Sequence, residues 1–229
     1  MAWTALPPEL QAMVLSRVTN RARIGSLATV CREWQVAIER KTFRSLKVAA
    51  TELESFAQIL NNRQPRRQSS IKVLHFHIVL PECEWPGSRA RLIEQSERNQ
   101  VAFADAISKL FGILHTWDAS AVTQGIAHGM KLELDITFPS DPDESDDSDD
   151  SDYLKRRVRS SPLSFPSDPG RPCILKAVPV VTKFSTDRDL CLDLHHRTLA
   201  TILGSCTNLK HLGLRSAAWL LSTSGDVGK

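Results

Sequence analysis

Residues 71–80 read Ile71-Lys72-Val73-Leu74-His75-Phe76-His77-Ile78-Val79-Leu80, and the fold class turns on them. Apolar positions partly alternate with polar ones and β-branched residues are frequent, which predicts a strand ended by Pro81. Upstream, 48–60 places Leu53, Phe56, Ile59 and Leu60 on one helical face, and Asn61-Asn62 followed by Pro65 stops that helix. Arg63, Arg66 and Arg67 then colour a loop basic. Downstream of the turn-rich segment 81–88, the span 93–117 carries Val101, Phe103, Ala104, Ile107, Leu110, Phe111 and Leu114 at helical spacing and predicts the longest helix. Leu132, Leu134, Ile136 and Phe138 follow with a period of two, a second strand ended by Pro139. Val178 to Phe184 reads as a third strand, Thr198 to Leu203 as a helix, and Leu209, Leu212 and Leu214 as a fourth strand. The order helix then strand keeps returning at irregular spacing, which predicts an α/β (α+β) fold without a fixed repeat length.

The N-terminal stretch has a different grammar. Pro7 and Pro8 fix φ at a helix start and Glu9 places a negative charge in its first turn. Leu10, Met13, Val14 and Val18 then recur at helical spacing, with Leu6 placed to staple the helix start. After an interruption at Asn20-Arg21-Ala22-Arg23, Ser26 is a cap and Leu27, Val30, Cys31, Trp34 and Ile38 form a second stripe. About forty residues is near the lower limit for a self-sufficient core, so this module is expected to be covered in part by a partner.

Leu6-Pro7-Pro8-Glu9-Leu10, followed by Leu27, Val30, Cys31, Arg32 and Trp34, resembles the F-box as it appears in many fungal proteins, over Leu6 to Leu46. The resemblance implies a three-helix module that docks on the Skp adaptor of SCF ubiquitin ligases, and hence a substrate receptor. It also implies that the second stripe divides into two helices near Val30 and Cys31, which periodicity alone does not show. On the same resemblance the adaptor-binding residues are Leu6, Pro7, Leu10, Val14, Leu27, Val30, Cys31 and Trp34, with the Trp34 indole filling the gap between the helices. The segment from Ile202 to Leu214 resembles a leucine-rich repeat of the kind often joined to F-boxes, with leucines at alternating strand positions after a small-residue turn. No polar cap is evident after Leu214, so the expectation is a truncated chain or a short cap formed by Trp219 to Leu221.

The formal charge of +3 hides an asymmetry, because eight of the 26 acids lie between Asp141 and Asp152, leaving 29 basic against 18 acidic residues elsewhere. That basic excess is scattered without interleaved aromatics, so nucleic acid is not an expected partner. The acidic run, the basic cluster Lys155 to Arg159 and the prolines up to Pro172 predict a disordered insertion over 140–172. Ser140, Ser145, Ser148 and Ser151 lie where an acidophilic kinase finds its preferred surroundings, and Lys155 to Arg159 has the composition of a weak nuclear import signal. The resulting division is 1–46 for the F-box-like module, 47–139 for repeat-like units, 140–172 for the insertion and 173–229 for further repeat-like units.

Five cysteines without paired spacing, Cys31, Cys83, Cys173, Cys191 and Cys206, fit reduced thiols in the cytoplasm or nucleus. No apolar run approaches the roughly 18 residues of a membrane span. His75 and His77 stand two apart on one strand face, and Cys191 with His195 and Cys206 with His211 give faint ligand spacings, yet none supplies a third ligand. A buried repeat cysteine and a surface histidine explain the last pair more simply. Gly-rich phosphate loops, G-x-S-x-G elbows and H-E-x-x-H helices are missing, so neither catalysis, metal nor cofactor is expected. The rival readings are a scaffold that recruits no ligase and an enzyme of unrecognised type, which would need an activated cysteine or a metal.

Overall fold

In β2 (Val73–Val79) Leu74, Phe76 and Ile78 point inward and His75 and His77 outward, and β3 (Met130–Thr137) repeats the device with Met130, Leu132 and Leu134 inward. A computed structural model describes residues 6–18, 24–60, 65–81, 89–117, 119, 129–137, 162–165, 174–186 and 194–214. With β1 (Ser45–Ala49), β4 (Val181–Thr186) and β5 (His211–Leu214), these strands form a five-stranded sheet in the order β1-β2-β3-β4-β5, every pair parallel. Strand order therefore equals chain order. Among the described residues the helices that follow β1, β2 and β4 pack on one face of the sheet, as right-handed crossovers stepping in one direction require, and the other face is open. This explains the alternation, because a parallel sheet covered on both sides would need near-continuous apolar strands.

The covered face holds the core. Leu74, Phe76, Leu132, Leu134 and Phe184 cluster with Phe103, Ile107, Leu110, Phe111 and Leu114 from α5 (Arg89–His115). The α5 residues recur at i, i+4, i+7, i+8 and i+11, one stripe of a helix. Val101 was grouped with that stripe but is 59% exposed, because it sits two residues, about 200°, from Phe103. α3 (Leu53–Ile59) adds Leu53 and Phe56, and the Phe56 ring meets Trp117 at 5.9 Å. Ile59 is exposed where the sequence placed it inside, and Leu60 takes the buried position. α6 (His196–Ser205) contributes Ile202 and is followed by the buried Cys206. Gly129 is required by close approach: a Cβ there would lie 2.2 Å from Thr182 Cγ2, at the register shift between β3 and β4.

Three helical segments precede the sheet: α1 (Pro8–Val18), a 3₁₀ turn (Ile24–Thr29) and α2 (Arg32–Thr42). The second stripe is interrupted at Val30 and Cys31, where Cys31 is extended. Ile38 is the buried residue of α2, and Arg67 of α4 (Pro65–Ser70) donates to Glu39, tying the module to the sheet's neighbourhood.

Two of the sequence-derived boundaries need correction here. The break at residue 46 falls inside β1, whose Leu46 and Val48 face the core side beside Leu74 and Phe76. The basic stretch read as a loop contains α4, whose Gln68 Nε2 donates to Leu60 O at 2.8 Å and satisfies the end of α3.

The expected disordered insertion over 140–172 fails at Pro162 to Phe165. Leu163 and Phe165 are 2% and 7% exposed, Leu163 bridges to Leu194, and the Phe165 ring lies 5.8 Å from Phe103. Two large apolar side chains stabilise this segment enough to order it. The acidic run, its serines, the Lys155–Arg159 cluster, Phe138 and Trp219 to Leu221 lie outside the described residues.

Candidate functional site

The open face of the sheet is built from the outward positions of each strand. Across the ladder, Lys47, His75, Glu133 and Ser185 form one row, and Ala49, His77 and Asp135 form the next. Ser45, Val73, Lys131, Lys183 and His211 form the row before them. Of these, Lys47, Ala49, His75, His77, Lys131, Glu133, Asp135 and Ser185 line a depression of about 500 Å³. Cations thus gather toward the strand starts and carboxylates toward the middle of β3.

The row partners are engaged. His75 Nδ1 lies 2.5 Å from Glu133 Oε2, while His75 Nε2 lies 3.2 Å from Ser45 Oγ. Lys131 Nζ donates to the other oxygen of Glu133. Partial burial raises the Glu133 pKa, but the Lys131 ammonium and His75 outweigh it and hold the carboxyl below its ordinary value. His77 Nε2 lies 2.6 Å from Thr137 Oγ1 and 3.8 Å from Asp135 Oδ2. The imidazoles are therefore held between strands, and the face presents donors and acceptors of both signs.

His75 and His77 share one face as their spacing requires, and the structure adds Glu133 and Asp135 beside them. Among the described residues, however, no three His, Cys, Asp or Glu side chains converge on a common point that could hold a metal ion. Cys206 is buried and its thiol is pushed up to about 12 by burial, whereas His211 is exposed on β5. Cys191 lies outside the described residues. The carboxylate partners were not legible beforehand, since the β2–β3 register that juxtaposes them is set by the core face, not by the polar residues themselves.

The residues singled out at the N-terminus are spread between surface and interior. Pro7, Leu10 and Val30 are exposed, with Leu10 at 43% and Val30 at 59%. Leu6, Val14, Leu27, Cys31 and Trp34 are half-buried. Met13, 46% exposed, joins Leu10 on α1 and was not among the residues chosen from sequence. No helix among the described residues is long and apolar enough to cross a membrane. No family model, no curated protein and no solved structure matches the chain.

Proposed function

We propose that this chain is a substrate-receptor subunit of an SCF-type cullin-RING ubiquitin ligase. Its N-terminal helical segments, resembling an F-box, dock on the Skp adaptor through Leu6, Pro7, Leu10, Val14, Leu27, Val30, Cys31 and Trp34. Its parallel sheet is a leucine-rich-repeat-like stack whose open face holds a protein target, and the ligase chemistry resides in other subunits. The chain itself is then not an enzyme and works in the cytoplasm or nucleus. The observation that carries the reading is the exposure of Leu10, Met13 and Val30 within one short helical module, apolar surface of the kind a partner covers. The consecutive strand order and one-sided covering support the stack. Co-purification with the Skp adaptor tests it. Pro7→Ala with Leu10→Ala should abolish capture while circular dichroism stays nearly unchanged; undiminished capture by the variant would move the interface elsewhere, and no capture by the parent chain would make the module a scaffold that recruits no ligase.

A second reading rests on Ser45, His75 and Glu133, whose contacts of 3.2 Å and 2.5 Å follow the order of groups in an activated serine. Against it, Ser45 is exposed and Glu133 is shared with Lys131, so water screens any charge separation there. A serine-directed fluorophosphonate that labels Ser45, and fails to label the His75→Ala variant, would favour a hydrolase over a receptor.

A further inference from the structure

A second concave surface lies where α2 and α4 meet the starts of β1 and β2. It is a cleft of about 770 Å³ formed by Arg40 in the last turn of α2, Arg44 before β1, Arg66 and Arg67 on α4, and Lys72 before β2. Four arginines and one lysine face a single acid, Glu39, a net charge of +4 within one cleft. Backbone hydrogen bonds set this convergence, because Arg44 O accepts from the N–H groups of Lys72 (2.9 Å) and Val73 (3.0 Å). Five cationic side chains lining one cleft favour an anion over a cation or a neutral group there.

The arginines differ in how they are held. Arg67 is fixed, donating to Glu39 at 2.6 Å and lying 5.4 Å over the Phe43 ring, and its buried Nε–H has no acceptor among the described residues. Arg40, Arg44 and Arg66 are exposed and have no ion-pair partner among the described residues. Three free guanidinium forks beside a fixed one are donors matched to phosphate oxygens, where a cluster of lysines would supply only point charges. Among the described residues the cleft is lined by no exposed aromatic platform for bases and by one apolar residue, Val36, which disfavours single-stranded nucleic acid and a lipid surface.

We propose that this cleft is a binding site for closely spaced phosphoryl groups. It lies apart from the open sheet face and uses none of the residues assigned to the adaptor, so a ligand there would bridge α2 to the sheet without occupying either surface.

The test is fluorescence anisotropy of the full chain with a labelled peptide carrying two phosphoserines three residues apart. The same peptide with glutamates at those positions, and tripolyphosphate as competitor, complete the set. Arg44→Gln with Arg66→Gln should weaken the phosphorylated probe about tenfold or more, while Lys109→Gln on the exposed side of α5 leaves it unchanged. Both arginines are exposed, so the thermal midpoint of the double variant checks that folding is intact. Binding of the peptide assigns the phosphates to a protein, and binding of tripolyphosphate without the peptide assigns them to a small anion. The proposal is overturned if no phosphorylated probe binds, if the double variant binds as well as the parent, or if the glutamate peptide matches the phosphorylated one.

Discussion

Arg67 Nη2 donates to Glu39 Oε1 at 2.6 Å, so a helix that follows the first strand holds a helix that precedes it. The Arg67 hydrogen bond holds the Glu39 carboxyl below the ordinary value of 4.5 despite the opposing effect of partial burial. A carboxyl whose folded pKa is depressed stabilises the fold above its unfolded value and loses that contribution as pH falls through the folded one. Stability should therefore decline below roughly pH 4.5, and Arg67→Gln should flatten the part of that decline due to Glu39. A double-mutant cycle of Glu39→Gln with Arg67→Gln should return a coupling of about 1 kcal/mol at neutral pH and less at a pH acid enough to protonate Glu39. Equal coupling at both pH values would mean that the pair is not ionic.

Leu163 is expected to behave as a core residue although it lies in a polar, proline-rich neighbourhood. Leu163→Ala should cost about 2 to 5 kcal/mol in chemical denaturation. A deletion that spans Leu163 and Phe165 should be at least as damaging, whereas removing only Asp141 to Asp152 should change stability by about 0.5 kcal/mol or less. Tolerance of Leu163→Ala would refute its contact with the core.

Gly129→Ala should destabilise by about 1 to 3 kcal/mol, as overpacking does, because the new methyl would lie 2.2 Å from Thr182 Cγ2 and 2.7 Å from Thr182 Oγ1. Thr182→Ala removes both atoms but keeps a Cβ 2.9 Å from the new methyl, so it should recover part of the loss in the double variant. Additive losses would show that the two residues do not meet.

Alkylation separates two cysteines. Cys206 is 3% exposed with a thiol pushed up to about 12, so iodoacetamide at pH 8 should leave it unmodified until the chain unfolds. Cys31, half-buried at the start of α2, should react in the native protein. Peptide mapping by mass spectrometry reads both positions, and native labelling of Cys206 would mean that α6 opens locally.

Trp34 and Val30 should diverge. Trp34 is half-buried in the stripe that ends at the buried Ile38, so Trp34→Ala should loosen the helices and lose adaptor capture indirectly. Val30, 59% exposed, should tolerate Val30→Asp in folding within about 0.5 kcal/mol while capture is lost. Retained capture by both variants would remove the adaptor from this surface.

The elements that were legible are those whose core face announced itself. β2, β3 and α5 carry strong apolar periodicity, and the structure places them within a few residues of the expected ends. β1 was missed because Leu46 and Val48 are its only large apolar residues, too short a signal beside helix-compatible neighbours. α4 was missed because its sequence, PRRQSS, has no apolar stripe, and its place is fixed instead by Gln68 and Arg67 reaching other elements. The same limit hid the sites. His75 and His77 could be seen to share a face, but Glu133 stands beside His75 only through register, and Arg44 approaches Lys72 only through a backbone pairing.

Because the strands lie side by side in chain order, each connector has only to leave one strand's end and return to the start of the next. Its length is uncoupled from the hydrogen-bond ladder. The long connector between Thr137 and Val181 and the short one between Thr186 and His211 serve the same geometric task. Length can therefore change between those connector residues that pack on the core, while the side chains on the opposite face keep the spacing that the ladder gives them. An insertion at such a point lengthens the chain without displacing one outward side chain relative to another.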